Sequence, residues 1–437
     1  MGAGQQIQSE DCLYLNVWTP GVDDARRPVM VWLHGGAFVL GAGSEPLYDG
    51  ARLAARGDVV VVTVNYRLGA LGYLAHPSLR DEATGACGNW GLLDQIAAIA
   101  WVRANAEAFG GDPANVTIFG ESAGSMSVTT IMAVPSARGL FQRVIAQSGA
   151  PMFATVDEAE ATASRLLSLA EVGHGELRDL PAERFADLQQ RLMFDGVSEG
   201  GGISSGLHGE AMPFRPVLDE VVLPRSPYDA IAEGEAAGIS LLIGTNRDEM
   251  KLFSMLSPAT DLDDDGLLSR LAATLSPEES RRVMDSYRSA RGARAEATDA
   301  KELWSAIETD RFFRAPAMRF AATHAAHQPA TYAYLCCWES PIAQLGAAHA
   351  VELPFVFGNL DAPMIDLFAG SGPEAQRLAG AVQDAWTAFA RTGDPSTAAI
   401  GEWRAFDGAR RSTMVLGVQC AMEDSPRGDE LSCWLAG

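Results

Sequence analysis

The residue best placed to do chemistry is Ser122, at the centre of Gly120-Glu-Ser-Ala-Gly124. The apolar run 116–120 predicts a strand and the run 123–133 predicts a helix, so the serine lies between the two. Glycines two residues before and after it allow the close approach of strand and helix that a strained turn needs, and such a turn lifts the hydroxyl above the sheet edge. The pattern indicates a serine nucleophile; the alternative is a serine that caps the helix.

A nucleophilic serine needs a base, which in turn needs a carboxylate to orient it. In enzymes with this motif the chain order is serine, acid, histidine, so His34 and His76 are excluded by position. The histidines that remain are His174, His208, His324, His327 and His349. The first two lie in weakly patterned sequence and the next two in a helical stretch that we expect to be solvated. His349 is favoured, because it follows a predicted strand at 332–338 after a short linker.

The acid is expected where the predicted strand 239–244 ends, in the loop Thr245-Asn-Arg-Asp-Glu249. Asp248 and Glu249 compete for this role, and composition alone does not choose between them. Either one could instead be a solvated loop charge or a partner of Arg247.

A second loop, His34-Gly-Gly-Ala-Phe38, follows the apolar run 29–33. Its small residues let backbone N–H groups point at a substrate oxygen, because no side chain blocks the approach. Together with the N–H of Ala123, such donors can hold the oxyanion of a tetrahedral intermediate. The alternative is a plain tight turn after a strand.

The elements around these loops alternate between strand and helix. Further strands are predicted at 59–64, 143–147 and 413–417, and further helices at 92–108 and 378–390. This alternation predicts an α/β fold with a central, mostly parallel sheet flanked by helices, whose ligands collect at the carboxyl ends of the strands. We expect one domain over 1–437, in which 151–235 and 250–330 are mainly helical insertions that form a cap and pocket walls over the active site.

Composition narrows the class of ligand. The formal net charge of −23 disfavours nucleic acid and anionic membrane surfaces and suits a small, uncharged or cationic molecule.

Six cysteines have neither the density of a disulfide scaffold nor the spacing of a zinc site, so free, mostly buried thiols are expected. No apolar run is long enough for a membrane helix, and the polar start does not resemble a signal peptide, so a cytoplasmic protein is expected. The residues do not indicate an oligomeric state.

Eight stretches taken together resemble the type-B carboxylesterases, a family of the α/β-hydrolase fold that includes bacterial esterases, liver carboxylesterases and cholinesterases. The stretches are Ser9-Glu-Asp-Cys-Leu-Tyr-Leu-Asn-Val-Trp18, His34-Gly-Gly-Ala-Phe38, Asn65-Tyr-Arg-Leu68, Gly88-Asn-Trp-Gly-Leu-Leu-Asp-Gln95, Phe109-Gly-Gly-Asp112, Gly120-Glu-Ser-Ala-Gly124, Asn246-Arg-Asp-Glu249 and His349-Ala-Val-Glu-Leu-Pro-Phe355. They span almost the whole chain, in the order that the family has.

The resemblance implies a carboxylic-ester hydrolase that acts on small uncharged esters through an acyl-enzyme, with no metal or organic cofactor. It implies that Ser122 is the nucleophile, His349 the base and Glu249, rather than Asp248, the acid. The oxyanion donors it implies are the N–H groups of Gly36, Ala37 and Ala123. For contact with the substrate, the expected residues are Gly35, Phe38 and Phe313.

The chain departs from the family pattern at its start, where only eight residues precede Ser9. Family members carry a longer segment there, which supplies part of the gorge wall and often a cysteine that pairs with the one matching Cys12. We therefore expect Cys12 to be unpaired, the pocket to be open or covered by a partner chain, and no preference for choline esters. The rival classes are a non-catalytic adhesion or scaffolding protein, and a hydrolase of amides, carbamates or thioesters.

Overall fold

Nine strands form one sheet in the computed structural model, which describes residues 8–198, 212–256 and 262–435. The strands are β1 (Leu15–Trp18), β2 (Arg27–Leu33), β3 (Val60–Val64), β4 (Gly111–Glu121), β5 (Arg143–Gln147), β6 (Ser240–Asn246), β7 (Thr331–Cys336), β8 (Ser412–Leu416) and β9 (Ala421–Asp424). Their spatial order is β1-β3-β2-β4-β5-β6-β7-β8-β9. Only the two edge pairs, β1 with β3 and β8 with β9, are antiparallel. The predicted α/β fold with a mostly parallel sheet is confirmed.

Helices connect the strands and cover both faces of the sheet. In the described part of the chain they are α1 (Ala51–Gly57), α2 (Gly69–Tyr73), α3 (Trp90–Asn105), α4 (Ala123–Ile131), α5 (Val156–Ala170), α6 (Ala182–Ser198), α7 (Pro227–Ala232), α8 (Met250–Leu256), α9 (Asp264–Leu271), α10 (Pro277–Ala293), α11 (Ala300–Thr309), α12 (Ala315–Ala325), α13 (Leu353–Phe357), α14 (Ile365–Ala369), α15 (Pro373–Thr392) and α16 (Gly428–Leu435). A π-helical turn, Asp310–Arg314, joins α11 to α12. No helix in these residues is long and apolar enough to cross a bilayer.

The inner strands are apolar on both faces because a layer of helices covers each side. In β2, Val29 and Val31 pack on the face covered by α3, α4 and α12. Met30 and Trp32 point to the other face, which α1, α13 and α15 cover. A third apolar cluster joins α5 and α6 to the loop that follows β2.

The register of the parallel strands brings their carboxyl ends to one edge of the sheet. Leu33 at the end of β2 pairs with Gly120 in β4, which in turn pairs with Ala146 in β5. At the end of β6, Asn246 pairs with Cys336 in β7. The loops after β2, β4, β6 and β7 therefore meet at this edge, where open α/β sheets place their ligands.

The structure differs from the sequence prediction mainly at the margins of the sheet. Neither β1 nor β9 was predicted, and the helix predicted at 92–108 is α3 followed by a 3₁₀ turn, Ala106–Phe109. The predicted insertions hold α5 to α7 and α8 to α12, and their function as a cap stays a prediction. The glycine-rich stretch at 199–206 and His208 lie outside the described residues. All six cysteines are free; Cys87 and Cys336 are buried, and the other four are partly buried.

Candidate active site

Ser122 occupies a strained turn between β4 and α4. Its φ of 57° and ψ of −122° lie outside the regions that residues with a Cβ prefer. Two backbone hydrogen bonds hold this conformation: Ser122 N–H donates to Gln147 O at 2.9 Å, and Ser122 O accepts from Met126 N at 2.9 Å. The side chain is left at the carboxyl edge of the sheet, where it remains partly exposed.

The two glycines of the motif are required by the close packing of this turn. A Cβ at Gly124 would overlap the carbonyl oxygen of Leu33, and a Cβ at Gly120 would lie 2.5 Å from the carbonyl carbon of Gly124. Real Cβ atoms essentially never approach so closely, so a side chain at either position would push α4 away from the sheet.

His349 lies between β7 and α13 and contacts the loop after β6. Its Nδ1 is 2.6 Å from Oε2 of Glu249, whose side chain is fully buried. The other oxygen of Glu249 accepts a hydrogen bond from Asn246 N at 2.7 Å, which fixes the carboxylate. Asp248 turns away from the histidine: it pairs with Arg247 at 2.7 Å and accepts from Ala347 N at 2.9 Å. Of the two competing carboxylates, Glu249 is the one beside His349.

The other ring nitrogen of His349 faces a carboxylate that the sequence analysis did not single out. Nε2 lies 3.0 Å from Oε1 of Glu121, a buried residue next to Ser122 in the chain. The two groups form an ion pair when the ring is protonated. In the described residues no hydrogen bond joins the hydroxyl of Ser122 to His349. The structure thus brings His349, Glu249 and Glu121 together directly, with Ser122 adjoining.

Gly35 fits between Ser122 and Glu121. A Cβ on Gly35 would lie 2.8 Å from Oε2 of Glu121 and 3.1 Å from Cβ of Ser122. The loop after β2 therefore passes directly over the serine, and only a glycine allows this approach.

The two carboxylates set the protonation of His349. Burial alone would lower its pKa, but the charges of Glu121 and Glu249 outweigh burial and raise the pKa well above the ordinary value. A third buried carboxyl, Glu352, lies nearby and accepts hydrogen bonds from Gln147 Nε2 at 3.2 Å and Asn246 Nδ2 at 2.6 Å. Burial, followed by the charges of Glu121 and Glu249, raises the pKa of Glu352 to about 7.

The loop after β2 has an unusual backbone next to the serine. Gly36, Ala37 and Phe38 all have positive φ, at 112°, 53° and 62°, and Gly36 O accepts from Val39 N and Leu40 N, each at 3.0 Å. The N–H groups of Gly36 and Ala37 make no hydrogen bond to a described residue. Ala123 is the first residue of α4, where a backbone N–H has no partner within the helix. These are the three N–H groups that the sequence analysis predicted as oxyanion donors, and that function stays a prediction.

His34, excluded above as a base, supports this loop. Its ring is fully buried, stacks on Tyr66 at 4.5 Å and has Nδ1 2.7 Å from Gly35 O. Burial lowers the pKa of His34 to about 4, so the ring is neutral and Nδ1–H donates to that carbonyl. Tyr66 O–H in turn donates to His34 O at 2.7 Å. The pair fixes the peptide that precedes Gly36.

The aromatic residues predicted to contact the substrate occupy different places. Phe313, in the π-helical turn, has its ring centre 5.0 Å from that of His349, as does Phe253 of α8. Phe38 is fully buried and packs edge-on against Tyr73 at 5.1 Å. Phe313 adjoins the site directly, whereas Phe38 supports the loop from behind.

The contacts that the structure describes for His324 and His327 lie elsewhere in the fold. His324 is buried, not solvated as predicted, because its face of α12 packs on the sheet; its Nδ1 is 2.7 Å from Thr331 Oγ1. His327 is exposed beyond the end of that helix, with Nε2 2.9 Å from Ala232 O. His174 lies in a 3₁₀ turn, His174–Asp179. No set of three or more His, Cys, Asp or Glu side chains in the described ranges could hold a metal ion.

Comparison with known proteins gives a consistent result. The family model described as the carboxylesterase family matches residues 1–434. Para-nitrobenzyl esterase of Bacillus subtilis is 42% identical over 97% of this chain and 82% of its own length. Phenmedipham hydrolase of Pseudarthrobacter oxydans is 35% identical over the same shares. A solved carboxylesterase of Geobacillus stearothermophilus aligns with a TM-score of 0.85 at 38% identity, covering 99% of this chain and 88% of that one.

Proposed function

The chain belongs to the carboxylesterase family and is a serine hydrolase of carboxylic esters, and we propose that Ser122 is its nucleophile, His349 its base and Glu249 its acid. The observation that carries this assignment is the buried 2.6 Å contact between His349 and Glu249 at the sheet edge that also holds the strained Ser122. Strain of this kind is found where function needs a side chain held in one place.

The reaction proceeds in two steps. Nε2 of His349 takes the proton of Ser122 as its oxygen bonds to the ester carbonyl carbon, and the carbonyl oxygen becomes an oxyanion. The N–H groups of Gly36, Ala37 and Ala123 bind that oxyanion. His349 then protonates the departing alcohol, which leaves an ester between acyl group and serine. Water, deprotonated by the same nitrogen, hydrolyses this acyl-enzyme and returns the proton to the serine.

Glu249 and Glu121 act on opposite sides of the imidazole. Glu249 holds Nδ1–H, so that Nε2 of the neutral ring is free to accept, and it stabilises the imidazolium that forms. Glu121, which lies beside Nε2, also stabilises the imidazolium. His349 must lose its proton before it can act as a base, so activity is lost as pH falls through its raised pKa.

We expect Glu121→Gln to shift the acidic limb of the pH profile of kcat/KM to lower pH, because it removes a charge that raises the pKa of His349. Glu352→Gln is the matched control. The charges that raise the pKa of His349 are those of Glu121 and Glu249 and not that of Glu352, so the replacement of Glu352 should move the limb less. An unchanged limb in Glu121→Gln, or a shift to higher pH, would contradict this account of the charge contact.

The substrates that suit this site are small uncharged esters with apolar or aromatic groups. Phe253 and Phe313 line one side of His349, which favours apolar substituents. The carboxyls of Glu121 and Glu352, within a chain of net charge −23, disfavour an anionic acyl group. The chain is similar to a para-nitrobenzyl esterase, whose name specifies an ester of an aromatic alcohol. That similarity supports a preference for esters with an aromatic alcohol group.

A series of p-nitrophenyl esters from acetate to decanoate tests the proposal, with p-nitroacetanilide as the amide matched to the acetate and a succinate half-ester as the anionic comparison. We expect turnover of the short neutral esters, a much lower kcat/KM for the half-ester and little amide cleavage. An organophosphate should add one phosphoryl group, which peptide mass spectrometry locates on Ser122. If the folded protein neither hydrolyses esters nor takes the label, it belongs to the non-catalytic class.

A further inference from the structure

A small cavity lies on the face of the sheet that α12 covers. Thr245 of β6, Arg314 of the π-helical turn, and Arg411 and Ser425, which flank β8 and β9, are among its lining residues. The volume open to the centre of a water-sized sphere is about 10 Å³, which is room for one small occupant. We call it the Arg314 cavity.

The cavity wall contains buried donors that lack partners. Arg314 is 4% exposed; its Nη2 is 2.7 Å from Asp310, whereas its Nε and Nη1 make no hydrogen bond. Thr245 Oγ1, fully buried in the same wall, also has no partner. Leaving a buried guanidinium N–H unsatisfied is costly, so an occupant that accepts hydrogen bonds is favoured.

The charges around the cavity favour a negative occupant. Arg411 has only a 3.5 Å contact with Ser425 Oγ, and no carboxylate in the described residues lies within ion-pair distance of it. The arginines that line the cavity or belong to the adjoining ion-pair network are Arg291, Arg294, Arg314, Arg411 and Arg427. The carboxylates of that network are Glu296, Asp310, Asp429 and Glu430. Lys251 and Glu302 also belong to the network and add one positive and one negative charge. The positive groups therefore outnumber the carboxylates by one.

We propose that the Arg314 cavity binds one small monovalent inorganic anion such as chloride. The anion accepts hydrogen bonds from Arg314 and Thr245 and compensates the excess charge. It lies where three parts of the fold meet: the end of β6, the turn before α12, and the segment from β8 to α16. Thr245 precedes Asn246, whose N–H holds Glu249, so the same anion steadies the strand end that carries the proposed acid.

The test is thermal unfolding of the whole protein in sodium chloride or sodium gluconate at one ionic strength. We expect chloride to raise Tm saturably, on the order of 2 °C, because a ligand that binds only the folded state stabilises it. Arg411→Gln should abolish the chloride-dependent rise. Arg404→Gln should retain it, since Arg404 pairs with Asp424 and does not line the cavity.

Crystals soaked in bromide provide the direct readout. An anomalous peak in the cavity, within hydrogen-bond distance of Arg314, supports the proposal. The proposal is overturned if Tm is equal in chloride and gluconate and the cavity holds density without an anomalous signal, since water then fills it. It is also overturned if Arg411→Gln retains the full chloride effect, because the anion then binds elsewhere.

Discussion

Ser122→Ala should lower kcat/KM for p-nitrophenyl acetate by about 10⁴- to 10⁶-fold, the range expected when a nucleophile that acts with a base is removed. The turn that holds Ser122 does not depend on its hydroxyl: its backbone bonds to Gln147 and Met126 remain, and the hydroxyl makes no hydrogen bond within the described residues. The variant should therefore fold normally, and its loss of rate should be almost entirely a loss of chemistry.

Ser125→Ala is the matched control, since it deletes the same hydroxyl one turn further along α4. Ser125 is fully buried, and its Oγ donates to Gly149 O at 2.8 Å. Losing that bond costs some stability but removes nothing that meets the substrate, so we expect kcat/KM within about tenfold of the wild type. If Ser122→Ala retained substantial turnover while folded, or if both variants lost activity equally, Ser122 would not be the nucleophile.

The parts of the fold that were predictable are those whose requirements are local. Gly120 and Gly124 flank a serine between an apolar strand and a helix, and their lack of a Cβ is what lets these elements touch. The inner strands were recognisable because both faces are buried and the sequence is continuously apolar. At the edges, β1 and β9 have four residues each and are mostly exposed or half-buried, so no comparable apolar run marks them.

The arrangement of the site was only partly predictable, because it depends on contacts between distant parts of the chain. Asp248 and Glu249 are adjacent carboxylates, and the residues alone did not decide which of them is the acid. The register of β6 and β7 directs Glu249 at His349. Glu121 lay inside the recognised motif, but its contact with His349 requires the loop after β7 to fold back over β4. His324 was misjudged because a polar neighbourhood in sequence does not reveal which face of α12 packs on the sheet.

The buried glutamates near His349 both help and hinder it as a base. Glu249 and Glu121 both favour the imidazolium, which lowers the energy of the charge that forms during attack but also traps His349 protonated before the reaction begins. Glu352 is neutral below its pKa of about 7 and ionised above it, so it limits the negative charge of the site only on the acidic side. Because His349 must be neutral to act as a base, the trapped imidazolium is the stronger limit on activity. The site is therefore expected to work best on the alkaline side of neutrality.

Glu249→Gln should lower kcat by about 10⁴-fold with little change in KM, whereas its neighbour Asp248→Asn should leave kcat within about tenfold of the wild type. A glutamine amide can donate to Nδ1 of His349, which places the ring proton on Nε2, the atom that must accept from Ser122. Asp248 contacts Arg247 and Ala347 N instead, so its replacement weakens loop packing and is expected to lower Tm more than kcat. Steady-state kinetics at several pH values, with Tm measured for each variant, separates the two effects. If folded Asp248→Asn lost as much kcat as Glu249→Gln, the acid would have to be reassigned.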